Sequence, residues 1–217
     1  LGAQSTRPHS ELITEEEELS RLSGIIEKIT NSFPQLIISI DTFYSRVAKE
    51  SIISGASIIN DISGGNMDDK MFDTASSLKV PYVCMHMRGT PQTMHQFTDY
   101  DDITVSLLDY FIRKIEECKV VGINDVIVDP GFGFSKTITQ NFQLLKKLNT
   151  LKILGKPILV GLSRKSTVYK TLGITSAESL NGTTVLNTAA LIKGADILRV
   201  HDVKEAKQCI ALVHQLM

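Results

Sequence analysis

The sequence is short of the features that announce many kinds of protein. It has only three cysteines, Cys84, Cys118 and Cys209. An odd number with no C-x-x-C spacing makes neither a disulfide framework nor a zinc ribbon. They read as reduced core thiols in a reducing compartment, and the expected location is the cytoplasm. An excess of one charge sign is missing too: 23 Lys and Arg against 24 Asp and Glu leave a formal net charge of −1. That gives no overall basic surplus to hold nucleic acid or an anionic membrane. No apolar run approaches the roughly 20 residues of a membrane span. The longest, such as Leu36-Ile37-Ile38, are the length of buried strands. No linker, repeat or low-complexity stretch divides the chain. Its glycine-rich turns, Ser63-Gly64-Gly65 and Gly131-Phe132-Gly133, have neither the P-loop spacing nor that of a dinucleotide fingerprint. They are turns that let backbone approach a ligand closely.

What is present is an ordinary globular mix, 42% apolar and 22% charged in 217 residues, enough for one well-cored domain. Strand-like and helix-like runs alternate from end to end, which argues for a parallel sheet with crossover helices. The first helix is expected from Thr14. Thr14 and Glu17 have capping-box spacing, and Leu19, Leu22, Ile25, Ile26 and Ile29 then recur at helical intervals. Strands are expected at 36–40, 58–59, 82–85, 126–128, 158–160 and 197–198, with helices at about 44–54, 102–121 and 182–193 between them. The final helix is expected to be capped by Asp202, with Glu205 three residues on. The strands are apolar on consecutive positions, so both faces are buried. Six strands and the tail of another before Ser5 suit a (β/α)8 barrel; an open doubly wound sheet is the alternative.

Nearly every strand ends in polar residues: Asp41, then Asn60-Asp61, His86, Asp129, Ser163-Arg164-Lys165, and Arg199 with His201. In a parallel barrel these ends open onto one face, so residues remote in sequence should converge on one pocket. Helix capping could explain Asp61 or Asp202. It explains less well two carboxylates, a lysine and an arginine that follow fully apolar runs, because unpaired buried charge costs several kcal/mol, roughly. Such a pocket could grip a substrate with hydrogen-bond donors at one end and anionic oxygen at the other.

Seven segments in series resemble dihydropteroate synthases: Gly2-Ala3-Gln4-Ser5-Thr6-Arg7-Pro8, Ile40-Asp41-Thr42, Ile59 to Gly65, Met85-His86-Met87-Arg88-Gly89-Thr90-Pro91, Asp129 to Phe134 with Lys136, Gly161 to Ser166, and Arg199-Val200-His201-Asp202. The resemblance implies a pterin-binding (β/α)8 TIM barrel, one domain over residues 1–217. It implies that this barrel is incomplete at the N-terminus, without the first strand, the first helix and most of the second strand. Members condense a dihydropterin carrying a methyl diphosphate with p-aminobenzoate and release pyrophosphate. On this likeness Asp41, Asn60, Met85, Asp129 and Lys165 would hold the pterin, and Thr6, Arg7, Pro8, Phe134 and Ser166 the p-aminobenzoate. Arg199 and His201, with Thr6, would hold the diphosphate. Asp129, Lys165, Arg199 and His201 would carry the chemistry, a dissociative displacement in which the carbon–oxygen bond breaks ahead of nitrogen attack.

The resemblance further implies Mg²⁺, held partly by an asparagine in a front loop reading roughly Asn-x-Thr-Pro-Asp-Ser-Phe. Nothing here matches that loop, so the sequence as it stands is expected to be inactive alone. A homodimer is implied, with contacts through the C-terminal helices; no nucleic-acid or membrane partner is. The alternative within the same fold is a pterin-binding methyltransferase that presents methyltetrahydrofolate to a corrinoid protein. Ser5-Thr6-Arg7-Pro8 and Arg199-Val200-His201 favour the synthase. An aldolase-type barrel using Lys165 as a Schiff base and a pterin-binding module without chemistry are the remaining readings.

Overall fold

Among the described residues, consecutive β-branched and apolar residues form six short strands with helices packed on their outer side. The structure is a computed structural model that describes residues 1–5 and 11–216. The strands are β1 (Ser39–Asp41), β2 (Ile58–Asp61), β3 (Tyr82–Met85), β4 (Val126–Asp129), β5 (Leu159–Val160) and β6 (Ile197–Leu198). β1 to β4 pair in sequence order, all parallel, and β5 pairs with β6 in the same sense. A parallel bridge from Val128 to Ile158 joins the two groups. Leu1 runs beside β1: its amino group donates to Ser39 O at 2.7 Å, and Asp41 N donates to Leu1 O at 2.6 Å. At the other end of the series, Arg199 just beyond β6 reaches back to Asp41 at 2.6 Å. A parallel series that keeps sequence order and curls until its last rim meets its first is the arc of a barrel. A doubly wound sheet would reverse its order at a switch point.

The helices are α1 (Glu15–Leu22), α2 (Ile25–Ser32), α3 (Ser45–Ile53), α4 (Met71–Leu78), α5 (Ile103–Val120), α6 (Ile138–Lys146), α7 (Ser166–Leu172), α8 (Leu180–Ile192) and α9 (Val203–Val213). Local chemistry fixes several starts. Thr14 Oγ1 accepts from Glu17 N, and Asp102 accepts from both Thr104 N and Val105 N. The core lies between the outer faces of the strands and these helices, where Ile40, Ile59, Tyr82, Val128 and Val160 meet Val47, Met71, Leu107, Phe111 and Leu144. Burying a large side chain of this kind stabilises by about 2 kcal/mol. All three cysteines are buried and free. Among the described residues no helix is long and apolar enough to cross a membrane.

Four local expectations change. The single first helix is two, because Gly24 takes a left-handed conformation at φ +68° and starts α2 afresh. β1 begins three residues later than expected. Leu36 is turned back by its N–H bond to Phe33 O, and Ile37 is 75% exposed. α7 was not anticipated; it ends at Gly173, whose φ of +67° closes the helix. Asp202 sits at the start of α9 without capping it, since both its oxygens are taken by Arg164.

Candidate active site

Successive side chains of a strand point to opposite faces, so register decides which rim residues face the barrel interior. Ser39 and Asp41 of β1, Ile58 and Asn60 of β2, Val83 of β3, Ile127 of β4, Leu159 of β5 and, at β6, Ile197 and Arg199 line one cavity of about 660 Å³. The register sets Asp41 level with Asn60, and Met85 level with Asp129. By the same alternation Met85 and Asp129, two residues beyond Val83 and Ile127, point inward at the rim. Asp61 and His86 have the opposite parity, and the expectation that every polar strand end joins the pocket changes for these two. Asp61 is wholly buried and accepts from Ser63 N, Gly65 N and the Tyr82 hydroxyl. His86 stacks edge-on against Tyr110 and meets the Lys136 ammonium at 3.1 Å. Both brace loops.

The inward polar groups differ in how far they are satisfied. Asn60 is 6% exposed, and its side-chain amide has no hydrogen-bond partner among the described residues. A buried amide left open toward a cavity is placed to bond a ligand. Asp129 accepts from Gly131 N at 2.8 Å. Burial pushes its carboxyl up, while Lys165 and the Gly131 amide pull it back. Burial lowers the Lys165 ammonium to about 8, against the opposing pull of Asp129. Lys165 Nζ donates to Phe132 O at 2.5 Å and lies 4.9 Å from the centre of the Phe134 ring. The Lys165 ammonium and the Arg199 stem both pass over Gly161, where a Cβ would stand 3.7 Å from Lys165 Nζ and 3.8 Å from Arg199 Cβ. Asp41, Asp129, Lys165 and Arg199 therefore form one interacting group of charges at the strand ends, of which Asp41 and Arg199 line the cavity.

Apolar walls complete the mouth. Met85 packs with Phe43, Ile62, Met87 and Met94, and Phe134 lies against that cluster. Gly131 permits this approach: at φ +68°, a Cβ on it would lie 2.2 Å from His86 O. His201 Nδ1 is 2.9 Å from Ser163 Oγ. Ser166 opens α7. Thr6, Arg7 and Pro8, expected on the p-aminobenzoate side, lie outside the described residues.

Sequence reading missed three supporting groups. Lys136 was noticed in its motif without a role. It is buried and donates to Gly131 O at 3.0 Å and Phe134 O at 2.9 Å, which shapes the loop after β4. Arg164 clamps Asp202 with two bonds and reaches Ser176 O and Ala177 O. Glu18 is wholly buried beside Asp41; Thr42 Oγ1 donates to one of its oxygens, and the other is unpartnered among the described residues. A signal existed for Arg164, as a charge shortly after an apolar strand, and for Lys136, as a charge in the glycine-rich loop after β4. None existed for Glu18, one of four adjacent glutamates.

A barrel rim that offers carboxylates, an open amide, a lysine and an arginine, with a histidine in the loop after β6, suits a flat heterocycle that carries an anionic group. Comparison with known proteins agrees. The family model for pterin binding enzymes matches residues 1–201, and the chain belongs to that family of barrel enzymes. It is 40% identical over 211 residues to dihydropteroate synthase from Synechocystis, covering 96% of this chain and 73% of that one. It is 43% identical over 215 residues to the folic acid synthesis protein fol1 of Pneumocystis carinii, covering 94% of this chain but only 29% of the longer fungal protein. Its fold superposes on a solved Xanthomonas albilineans dihydropteroate synthase with 4-aminobenzoic acid at a TM-score of 0.92 and 32% identity, covering 99% of this chain and 77% of that one. Within the pterin-binding family, then, it stands with the dihydropteroate synthases, the transferases of folate synthesis.

Proposed function

We propose that the protein condenses 6-hydroxymethyl-7,8-dihydropterin diphosphate with p-aminobenzoate to give 7,8-dihydropteroate and pyrophosphate, and that residues 1–217 form one pterin-binding barrel domain. The observation that carries this reading is one row of polar groups along the strand ends: Asp41, Asn60 and Arg199 line the cavity, and Asp129 and Lys165 interact with each other and with Arg199 beside them. The aminopyrimidinone edge of a pterin presents parallel N–H donors, which the Asp129 carboxylate accepts side by side. Asn60, open on both its donor and acceptor sides, bonds further ring nitrogens. Lys165 donates to ring acceptors, and Met85 covers the flat face. Phe134 and Ser166, with Thr6, Arg7 and Pro8, serve the p-aminobenzoate side. Titratable groups poised close to neutrality beside a cavity are a common mark of a functional site.

Arg199 and His201 take the diphosphate. An arginine fork fits phosphate oxygens and stays charged at any working pH. Without substrate Arg199 is held by Asp41. An arriving diphosphate competes for that guanidinium and frees Asp41 to accept from the pterin ring. The aromatic amine is a weak nucleophile, so the difficulty lies in the leaving group, and cationic donors aimed at the departing oxygens lower that barrier. The dihydropterin ring delocalises the cation left at its methylene carbon, and the amine then attacks that carbon and loses a proton.

Mg²⁺ is the expected partner of the diphosphate. Among the described residues no three Asp, Glu, His or Cys side chains gather into a metal site, and Asp41 is engaged by Arg199. These residues do not fit the ion by themselves, and no step above runs through it. A homodimer through the C-terminal helices and a cytoplasmic location complete the proposal. Exposed apolar residues on α8 and α9, among them Val185, Ile192, Ile210 and Leu212, support the first. The test is pyrophosphate release by the full-length protein given both substrates. Release that requires p-aminobenzoate, and that Asp129→Asn reduces at least a hundredfold, is the expected result. Pterin binding without pyrophosphate release would overturn the synthase reading.

A further inference from the structure

We infer that Ser163 is a positioning residue that fixes which nitrogen of His201 carries its proton, so that the ring presents Nε2–H to the departing diphosphate. The inference rests on the proposed role of His201 and extends it to a residue outside the substrate contacts. Ser163 lies in the loop between β5 and α7 and is 3% exposed. Its Oγ accepts the backbone N–H of His201 at 3.2 Å and stands 2.9 Å from Nδ1 of the same residue. A serine hydroxyl has one hydrogen to give. Buried as it is, that hydrogen finds no acceptor among the described residues except Nδ1. If Nδ1 carried the proton instead, Oγ would accept two bonds and strand its own hydrogen away from water. Stranding a buried donor disfavours that arrangement by roughly tenfold or more. In the neutral ring the proton therefore belongs on Nε2, at the edge opposite the serine. No described residue bonds Nε2, and the histidine as a whole is exposed.

The neighbouring residues make the arrangement rigid. Arg164 and Asp202, next in sequence to Ser163 and His201, join the same two loops through bonds of 2.9 and 2.8 Å. Arg164 N is itself held by Thr183 Oγ1 at 3.0 Å. The two loops are thus tied twice at adjacent positions, and the imidazole plane is set before substrate arrives. A donor held in place stabilises charge that develops on the leaving oxygens without reorganising during the reaction.

The test uses the full-length enzyme labelled with ¹⁵N-histidine, with long-range proton–nitrogen spectra recorded where the rings are neutral. His201 should show the Nε2–H pattern, and Ser163→Ala should shift it toward a mixture of both tautomers. In steady-state assays Ser163→Ala should lower kcat about tenfold, with the p-aminobenzoate KM changed less than twofold. Ser163→Thr, which keeps the hydroxyl, should restore both tautomer and rate. In a His201→Gln background the serine substitution should cost less than twofold, because it acts through the ring. A wild-type Nδ1–H pattern, a tautomer unmoved by Ser163→Ala, or the full loss persisting in His201→Gln would overturn the inference. The spectra decide the tautomer whether or not the protein releases pyrophosphate, so failure of the synthase reading is seen separately.

Discussion

Lys165 holds its charge against its surroundings: burial, aided by Arg199, brings its ammonium down to about 8, while Asp129 and then Asp41 work the other way. Only the protonated amine donates to pterin acceptors. Pterin turnover should therefore fall as pH rises through about 8, and Lys165→Met should remove that alkaline limb along with most of the activity. A kcat/KM profile between pH 6 and 10 checks both. Glu18 shows the opposite case. Burial raises its carboxyl to about 7, above its value in an unfolded chain. The folded state then binds the extra proton between about 4.5 and 7. Stability is undiminished below that window and is lost as pH rises through it. Glu18→Gln should be neutral near pH 4.5 and should stabilise at pH 8, by on the order of 2 kcal/mol; melting temperatures at the two values read the difference. Glu18's burial was not legible in the sequence, whereas a role for Lys165 was. Lys165 stood out as a charge after an apolar strand, but its ammonium is depressed by burial, which only the folded loops around it supply.

The elements join through two glycines with the same backbone angle and different surroundings. Gly24 and Gly131 both have φ of +68°. A Cβ on Gly24 meets nothing within 4 Å, whereas on Gly131 it meets His86 O at 2.2 Å. Gly24→Ala should cost only the left-handed backbone penalty, about 1 kcal/mol. Gly131→Ala adds a collision between the loops after β3 and β4 and should exceed about 3 kcal/mol. Denaturant unfolding of the two variants makes the comparison, and equal losses would contradict it. Most element positions followed from the sequence, because caps and apolar periodicity act within a few residues. The break before α2 and the late start of β1 did not, since Gly24 and the turn at Phe33 override a helical and an extended pattern that each continue through them. Asp202 was misread for a related reason: its sequence fits a cap, but Arg164, 38 residues away, binds both its oxygens.

At the scale of the molecule, the strand series brings Arg199 to Asp41 across 158 positions of sequence and bounds the cavity between them. Its outer helices leave Val185 and Ile192, seven residues apart on one face of α8, more than half exposed. If that face joins two copies, Val185→Glu with Ile192→Glu should convert a dimer to a monomer in light scattering without changing the far-ultraviolet circular dichroism. An unchanged mass would place the contact elsewhere. By itself the sequence determined the alternation of strands and helices, the polar residues at the strand ends and the family likeness, because each depends on side chains close together along the chain. Only the tertiary structure decided which polar residues look into the cavity. A strand reverses side at every residue, so neighbours such as Asn60 and Asp61 are parted, one to the cavity and one to a loop, by pairing with strands far away in sequence.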